Sequence, residues 1–471
     1  MEMSMISGGT EAKTRRLVRG SGGLTTMSRR KVLYVCHNHP TVRPGGAEAY
    51  ALELYETMCA SEEFEPIFVA RSGPPVSTVS RPHEGTLFTA VNEDQNQYLF
   101  YADVSDFNWL FMTSPNKDIY TKYFREFLVA YQPDIVHFQH TLFLGYDLIR
   151  ETRNTLPDAP IVYTLHEYWP ICHRTGQMVR TKSQALCHES SPRRCHECFP
   201  EISPQAFFMR KRFIQSHFSL VDLFLAPSRF LLERYVDWGI PPEKIRYEEN
   251  GRRVAHLSAD LESERPREHE RSRNHIGFFG QFSLFKGVNV LLEAMKILDE
   301  EEYEAHLWLH GANLELQPAE FQDEFNSLLE TTKQNVTLVG RYDNAELSSL
   351  MANIDWVVVP SIWWENSPLV IQEAFFHGRP VICSDIGGMS EKVTNGVNGL
   401  HFRVGNPASL AQAIRRALSS PGLWDTLRSG IPEVYKVEDH AAELSEIYKA
   451  LLDRKHQPTV RVHGGDAHAN G

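Results

Sequence analysis

No run in this 471-residue chain approaches the roughly 18 uninterrupted apolar residues that a membrane-spanning helix needs. The N-terminus likewise lacks the apolar core of a secretion signal. Nor is there a surplus of positive charge: 48 Lys and Arg stand against 60 Asp and Glu, a formal net charge of −12. That balance argues against a duplex nucleic-acid partner, because gripping phosphates takes a concentrated basic surface. Together these absences predict a cytoplasmic protein whose membrane contact, at the inner face, is at most peripheral.

What is present is an ordinary globular composition, 42% hydrophobic and 23% charged. The length exceeds what one hydrophobic core organises, so two domains are expected. The most informative stretch runs from Trp356 to Gly399. Trp356 to Val359 is an apolar, β-branched run suited to a strand buried on both faces, stopped by Pro360. Ser367-Pro368 has the form of an N-cap and a first-turn proline, and Gly378 sits where a left-handed cap belongs, which predicts a helix over Pro368 to His377. Val381 to Ser384 is a second strand. The unit is strand, helix, strand, with its loop at the carboxyl end of the first strand, where open parallel sheets bind ligands. Free N–H groups at a helix start suit phosphate, so Leu369 and Val370 are read as facing a diphosphate between Glu365 and Glu373.

Glu365, seven residues, Glu373-Ala374, then Gly378 and Pro380-Val381, Gly387-Gly388 and Glu391 together resemble the retaining GT-B glycosyltransferases of family 4. The resemblance extends from about Val32 to about Leu451. It implies an α/β fold of two facing Rossmann-like domains with parallel sheets and a cleft between them. It also implies that Glu365 approaches the donor sugar's hydroxyls and that Glu373 holds the nucleotide ribose.

Met1 to Arg30 has no hydrophobic periodicity and reads as disordered, and a start at Met27 would cost the fold nothing. Residues 31–257 form the expected acceptor domain. Its first strand, Lys31 to Cys36, runs into Pro44-Gly45-Gly46 and an alanine-rich helix, a turn that lets phosphate approach the backbone. This resembles the family's glycine loop facing the donor diphosphate, with His37 and His39 beside it. Ser72 to Asp118 reads as a long irregular insertion, assigned to the acceptor side. Thr164-Leu165-His166-Glu167 resembles the family's strand ending in His-Asp, with Glu in place of Asp. His166 is therefore expected to hydrogen-bond the sugar or stabilise developing charge.

Four of the seven cysteines, Cys172, Cys187, Cys195 and Cys198, fall in one loop, 172–198, ending in Cys-x-x-Cys. In a cytosolic protein this favours a structural zinc, with an iron–sulfur or redox role and a metal-free loop as alternatives. Gln205 to Phe218 mixes aromatics with Arg210, Lys211 and Arg212, so it reads either as a core helix or as one lying on anionic lipid.

Asn250-Gly251 resembles the family's hinge-side motif, although Arg252-Arg253 follows it. Residues 258–274 are almost all charged and read as a linker. The donor domain, 275–436, opens with a strand into Gly280-Gln281 and Lys286, whose ammonium can neutralise a leaving diphosphate. In the family an arginine stands at Gln281, so one expected charge is missing. Arg252, Arg253 or Arg341 compensates, or donor turnover differs. Tyr342 is read as bordering the base. Residues 437–455 are expected to be a closing helix returning to the first domain, and 456–471 a disordered tail. No Asp-x-Asp motif lies beside these residues, which implies that no cofactor is needed for catalysis. The expected reaction is retaining transfer from a nucleotide sugar to a glycan, glycolipid or lipid-linked saccharide. An epimerase, a phosphorylase or a non-catalytic sugar-nucleotide binder on the same fold are the rivals. A retaining glycosidase, with carboxylates about 5 Å apart, fits poorly.

Overall fold

The computed structural model describes residues 29–43, 45–74, 85–91, 94–114, 117–253, 273–343 and 346–456. The expectations for residues 1–28, most of the 258–274 linker and the tail beyond His456 lie outside them, whereas Arg30, read as part of the disordered segment, opens the first strand by pairing with Phe64. Fourteen strands among the described residues build two sheets. The first holds β1 (Arg30–Cys36), β2 (Phe64–Ser72), β3 (Phe88–Val91), β4 (Asp94–Tyr101), β5 (Ile135–Phe138), β6 (Ile161–Thr164), β7 (Leu223–Ala226) and β8 (Ile245–Tyr247). The second holds β9 (His275–Gln281), β10 (His306–Ala312), β11 (Val336–Gly340), β12 (Trp356–Val359), β13 (Val381–Ser384) and β14 (Gly399–Phe402).

The second sheet runs β11-β10-β9-β12-β13-β14, all parallel. That is the doubly wound order, whose direction of winding reverses between β9 and β12. The first sheet, β3-β4-β2-β1-β5-β6-β7-β8, repeats the pattern with its reversal between β1 and β5, and only β3 runs antiparallel. Crevices at such reversals open beyond the strands' carboxyl ends. The loops after β1, β9 and β12 lie at these reversals, and the loop after β6 reaches the same cleft.

Strands β3 and β4 lie in the stretch read as irregular from sequence. Asp94-Gln95-Asn96-Gln97 has low strand propensity; Asp94 pairs with Val91 of β3, and the register with β2 begins only at Gln97. Among the described residues, this segment contributes nothing to the cleft lining. Its Gln97 Oε1 instead meets His39 Nε2 at 3.2 Å.

The Val437–His456 helix lies back on the first sheet, burying Ala441, Leu444 and Tyr448 against Val32 and Tyr34. The chain thus passes between domains twice, and the two passes touch: Arg252 pairs with Lys436 in a parallel bridge. Gly251 makes this possible, since a Cβ there would lie 2.7 Å from the Lys436 carbonyl oxygen and 2.7 Å from His440 Cβ. No helix among the described residues is long and apolar enough to cross a membrane.

Candidate active site

A cleft of about 430 Å³ lies between the domains, lined by residues from both. Gly45 and Gly46, His166, Lys286, Tyr342, Glu365, Leu369, Val370 and Glu373 all line it. Gln281 does not: its side chain is exposed at the end of β9, because the strand's alternation turns it outward while Gly280 faces the cleft.

Glu365 follows β12 and is 5% exposed. Its Oε1 accepts three hydrogen bonds, from Lys286 Nζ at 2.6 Å, Ser361 Oγ at 2.7 Å and Trp363 Nε1 at 2.9 Å. A buried carboxylate survives only with such partners. Lys286 is brought there by a short helical turn after β9 that ends at Gly287, whose φ of +68° suits glycine. A Cβ on Gly287 would stand 1.9 Å from the Pro360 carbonyl oxygen, so the two loops can meet only without one.

The helix spans Leu369–Phe376, and Pro368 rather than Ser367 takes the cap position, with no side chain capping it. Ser367 Oγ instead donates to Glu249 Oε1 at 2.7 Å, across the domain boundary. The helix start therefore faces the cleft without a capping side chain, the condition in which it attracts an anion. Gly46, across the cleft, is so close that a Cβ on it would stand 3.4 Å from Leu369 Cδ1.

Glu373 sits one turn further along. Burial raises its pKa, opposed by Arg252, whose Nη2 lies 2.8 Å from Glu373 Oε1. Tyr342 packs edge-on against Phe279, 5.7 Å between ring centres, at the same side of the cleft.

His166, after β6, has its pKa pushed down to about 3, chiefly by burial and then by His140 and His37. It is a neutral imidazole at physiological pH, with Nε2 3.1 Å from Gln139 Oε1. Glu167 also lines the cleft. Burial raises its pKa, while His140 Nε2 at 3.2 Å and the Trp169 N–H hold its carboxyl. His37 and His39 do not reach the cleft: His37 Nε2 pairs with Glu48 at 2.9 Å and His39 Nδ1 bonds Thr41 Oγ1 at 2.7 Å.

Sequence reasoning missed Asn366, whose Oδ1 accepts from Ser228 Oγ at 2.8 Å and whose Nδ2 donates to the Leu165 carbonyl at 3.3 Å, joining the domains. No spacing rule signals it, because both partners are distant in sequence. Glu391, part of the quoted motif, also works across the boundary. It accepts from the N–H groups of Arg229 and Phe230, at 2.8 and 3.1 Å, and so covers a helix start of the first domain.

Cys172, Cys187, Cys195 and Cys198 converge on one cavity of about 30 Å³. All four are free thiols, and among the described residues no three Cys, His, Asp or Glu side chains come close enough to hold a metal. The loop does touch the loop after β12: the Cys187 carbonyl accepts from Trp364 Nε1 at 3.0 Å, and His188 stacks edge-on to that indole.

A glycosyltransferase family 4 model matches residues 44–255, and a glycosyl transferases group 1 model matches 273–420, about three quarters of the chain between them. The chain belongs to the group 1 glycosyltransferases, with the GT-B fold. It is 24% identical over 425 residues to a D-inositol 3-phosphate glycosyltransferase of Jonesia denitrificans, covering 85% of this chain and 90% of that one. It is 29% identical over 185 residues to an uncharacterised glycosyltransferase of Methanocaldococcus jannaschii, 38% of this chain and 45% of that one. The chain spans about half the length of the curated relatives it first matches. Among solved structures, the Anabaena HepE protein in complex with UDP superposes with a TM-score of 0.60 at 17% identity, over 89% of this chain and all of that one.

Proposed function

We propose that this glycosyltransferase moves a glycosyl group from a nucleotide-sugar donor, bound mainly by the second domain, to an acceptor held by the first, with anomeric configuration retained. The observation that carries this reading is the single cleft holding Lys286, Glu365, Glu373, His166 and the Leu369 helix start together. The UDP in the Anabaena neighbour supports a nucleotide donor.

The roles follow from the chemistry. The Leu369 and Val370 N–H groups and the Lys286 ammonium suit the diphosphate and stabilise it as it departs. Glu365, with Oε1 engaged, offers Oε2 to a sugar hydroxyl. Glu373 accepts from the ribose hydroxyls, and Tyr342 and Phe279 flank the base. His166 hydrogen-bonds the sugar as a neutral group, adding no charge beside the lysine. The acceptor attacks from the leaving-group face and its proton passes to the departing phosphate, so no separate base is required.

The acceptor class is a glycan, glycolipid or lipid-linked saccharide. The Pro204–Phe218 helix supports a peripheral membrane contact: Phe208 and Met209 are 55% and 54% exposed and Arg212 is exposed beside them. Arg210 is not part of that basic face, being buried and donating to the Pro170 carbonyl at 2.6 Å. Flotation that occurs with anionic vesicles and not with neutral ones supports the contact, and no flotation on either removes it.

The test of function is a panel of nucleotide sugars screened for a raised melting temperature, followed by turnover of the stabilising donor. Wild type should consume the donor and Glu365→Ala should not, with the product's anomeric configuration read by NMR. Binding without turnover in both would make the protein a sugar-nucleotide binder, and inverted product would remove retention.

A further inference from the structure

Arg252 stands where the chain first leaves the acceptor domain, and backbone contacts fix it there. Its N–H donates to the Tyr435 carbonyl and its carbonyl accepts from the Val437 N–H, each at 3.0 Å. The side chain, 12% exposed, turns into the cleft. Nη1 lies 2.8 Å from Glu53 Oε1, on the Gly46–Met58 helix of the first domain, and Nη2 lies 2.8 Å from Glu373 Oε1, on the second. One guanidinium therefore bridges both domains at the point about which they are joined.

The two cationic side chains that line the cleft each sit on a carboxylate. Lys286 sits on Glu365 and Arg252 sits on Glu373, and these are the only Lys and Arg among the described lining residues. The other two candidate arginines are elsewhere: Arg253 pairs with Glu56 at 2.5 Å outside the cleft, and Arg341 is exposed and does not line it. Glu373 is four residues after Leu369, so Arg252 is held about 6 Å along the axis from the start of that helix. A diphosphate carries more negative charge than one ammonium offsets, and a guanidinium offers two parallel N–H donors to phosphate oxygens.

We propose that Arg252 is the second cation of the diphosphate site, exchanging Glu373 for the donor's diphosphate while the ribose hydroxyls take its place on Glu373. After the exchange every partner is satisfied: the carboxylate accepts from hydroxyls and the guanidinium donates to phosphate oxygens. Because Nη1 remains on Glu53, the same side chain ties the first domain to the bound nucleotide in place of its direct tie to Glu373. This rests on the reading of the cleft as a nucleotide-sugar site.

The experiment uses the full chain and isothermal titration with UDP, ADP and GDP, taking forward whichever binds wild type, together with its parent nucleoside. Arg252→Gln is expected to weaken the diphosphate at least tenfold and the nucleoside less than threefold, and to lower the salt dependence of diphosphate binding. Arg252→Lys, which keeps the charge and loses the fork, is expected to lose two- to tenfold for the diphosphate alone, and it carries the test should the glutamine variant not fold. An equal loss for nucleoside and diphosphate would show that Arg252 acts only by holding Glu373, and unchanged diphosphate binding would remove it from the site. Either result overturns the proposal and leaves the cleft reading intact. Wild type that binds none of the three nucleotides overturns both.

Discussion

Lys286 Nζ lies 2.6 Å from Glu365 Oε1, although 79 positions separate them in the chain. Each belongs to a loop at the carboxyl end of one of the two strands, β9 and β12, between which the second sheet reverses its winding. The pair is thus a direct product of the strand order.

From this pair comes the first prediction. Lys286→Ala removes the ammonium expected to offset the leaving diphosphate and leaves Glu365 with two of its three donors. Loss of one such preorganised donor costs on the order of 10² to 10³ in kcat. Steady-state kinetics should show the loss in kcat more than in KM, and a variant with unchanged kcat would remove Lys286 from the reaction.

Gly388 supplies a steric test. A Cβ at this position would stand 1.5 Å from the Asn366 carbonyl oxygen and 2.9 Å from that of Glu365. Gly388→Ala must push the Glu365 loop away, at a stability cost of about 1–3 kcal/mol. Turnover should fall roughly tenfold or more while the circular dichroism spectrum stays native, since a 1 Å misplacement can cost about 10²-fold in rate.

The histidines make stability depend on pH. His166 is depressed to about 3, and His173 and His310 to about 4, each mainly by burial. A neutral native histidine binds no proton where the unfolded chain, with its ordinary value near 6.5, does. Its contribution is therefore complete above 6.5 and lost as pH falls toward the native value. For His166 the cost is up to about 1.4 kcal/mol per pH unit below 6.5, and solvent screening makes it smaller for His173 and His310. Denaturant midpoints measured between pH 7.5 and 4.5 should fall steadily, and His166→Gln should flatten part of the slope. A midpoint independent of pH would contradict the buried neutral state.

For the cysteine loop, the geometry leads to an expectation of free thiols. Elemental analysis of the purified protein should find less than stoichiometric zinc and iron, and a chelator should leave the melting temperature unchanged. About one zinc per chain, with destabilisation on chelation, would show that the four thiols close around a metal.

Much of the architecture is legible in local pattern. β-branched runs such as Trp356 to Val359, and the glycine whose left-handed φ of +62° ends the helix before Arg379, are set by chain stereochemistry and burial and need no distant partner. Glu365, Glu373 and His166 are singled out by the motif resemblance, which is placed on strands and a helix that are themselves readable. Strands β3 and β4 could not be read, because β3 is only four residues long and β4 opens on the polar run Asp94-Gln95-Asn96-Gln97, of which Gln97 is paired by β2.

Which residues meet across the cleft was a matter for the tertiary structure alone. Whether Arg252, Arg253 or Arg341 faces the cleft, that Ser367 bonds Glu249 instead of capping its helix, and that Asn366 ties the domains through Ser228 all depend on how the two sheets are set against each other. Such contacts are short-range electrostatics between side chains on separate domains. Their strength falls within a few ångströms, so no property of the local sequence carries their outcome.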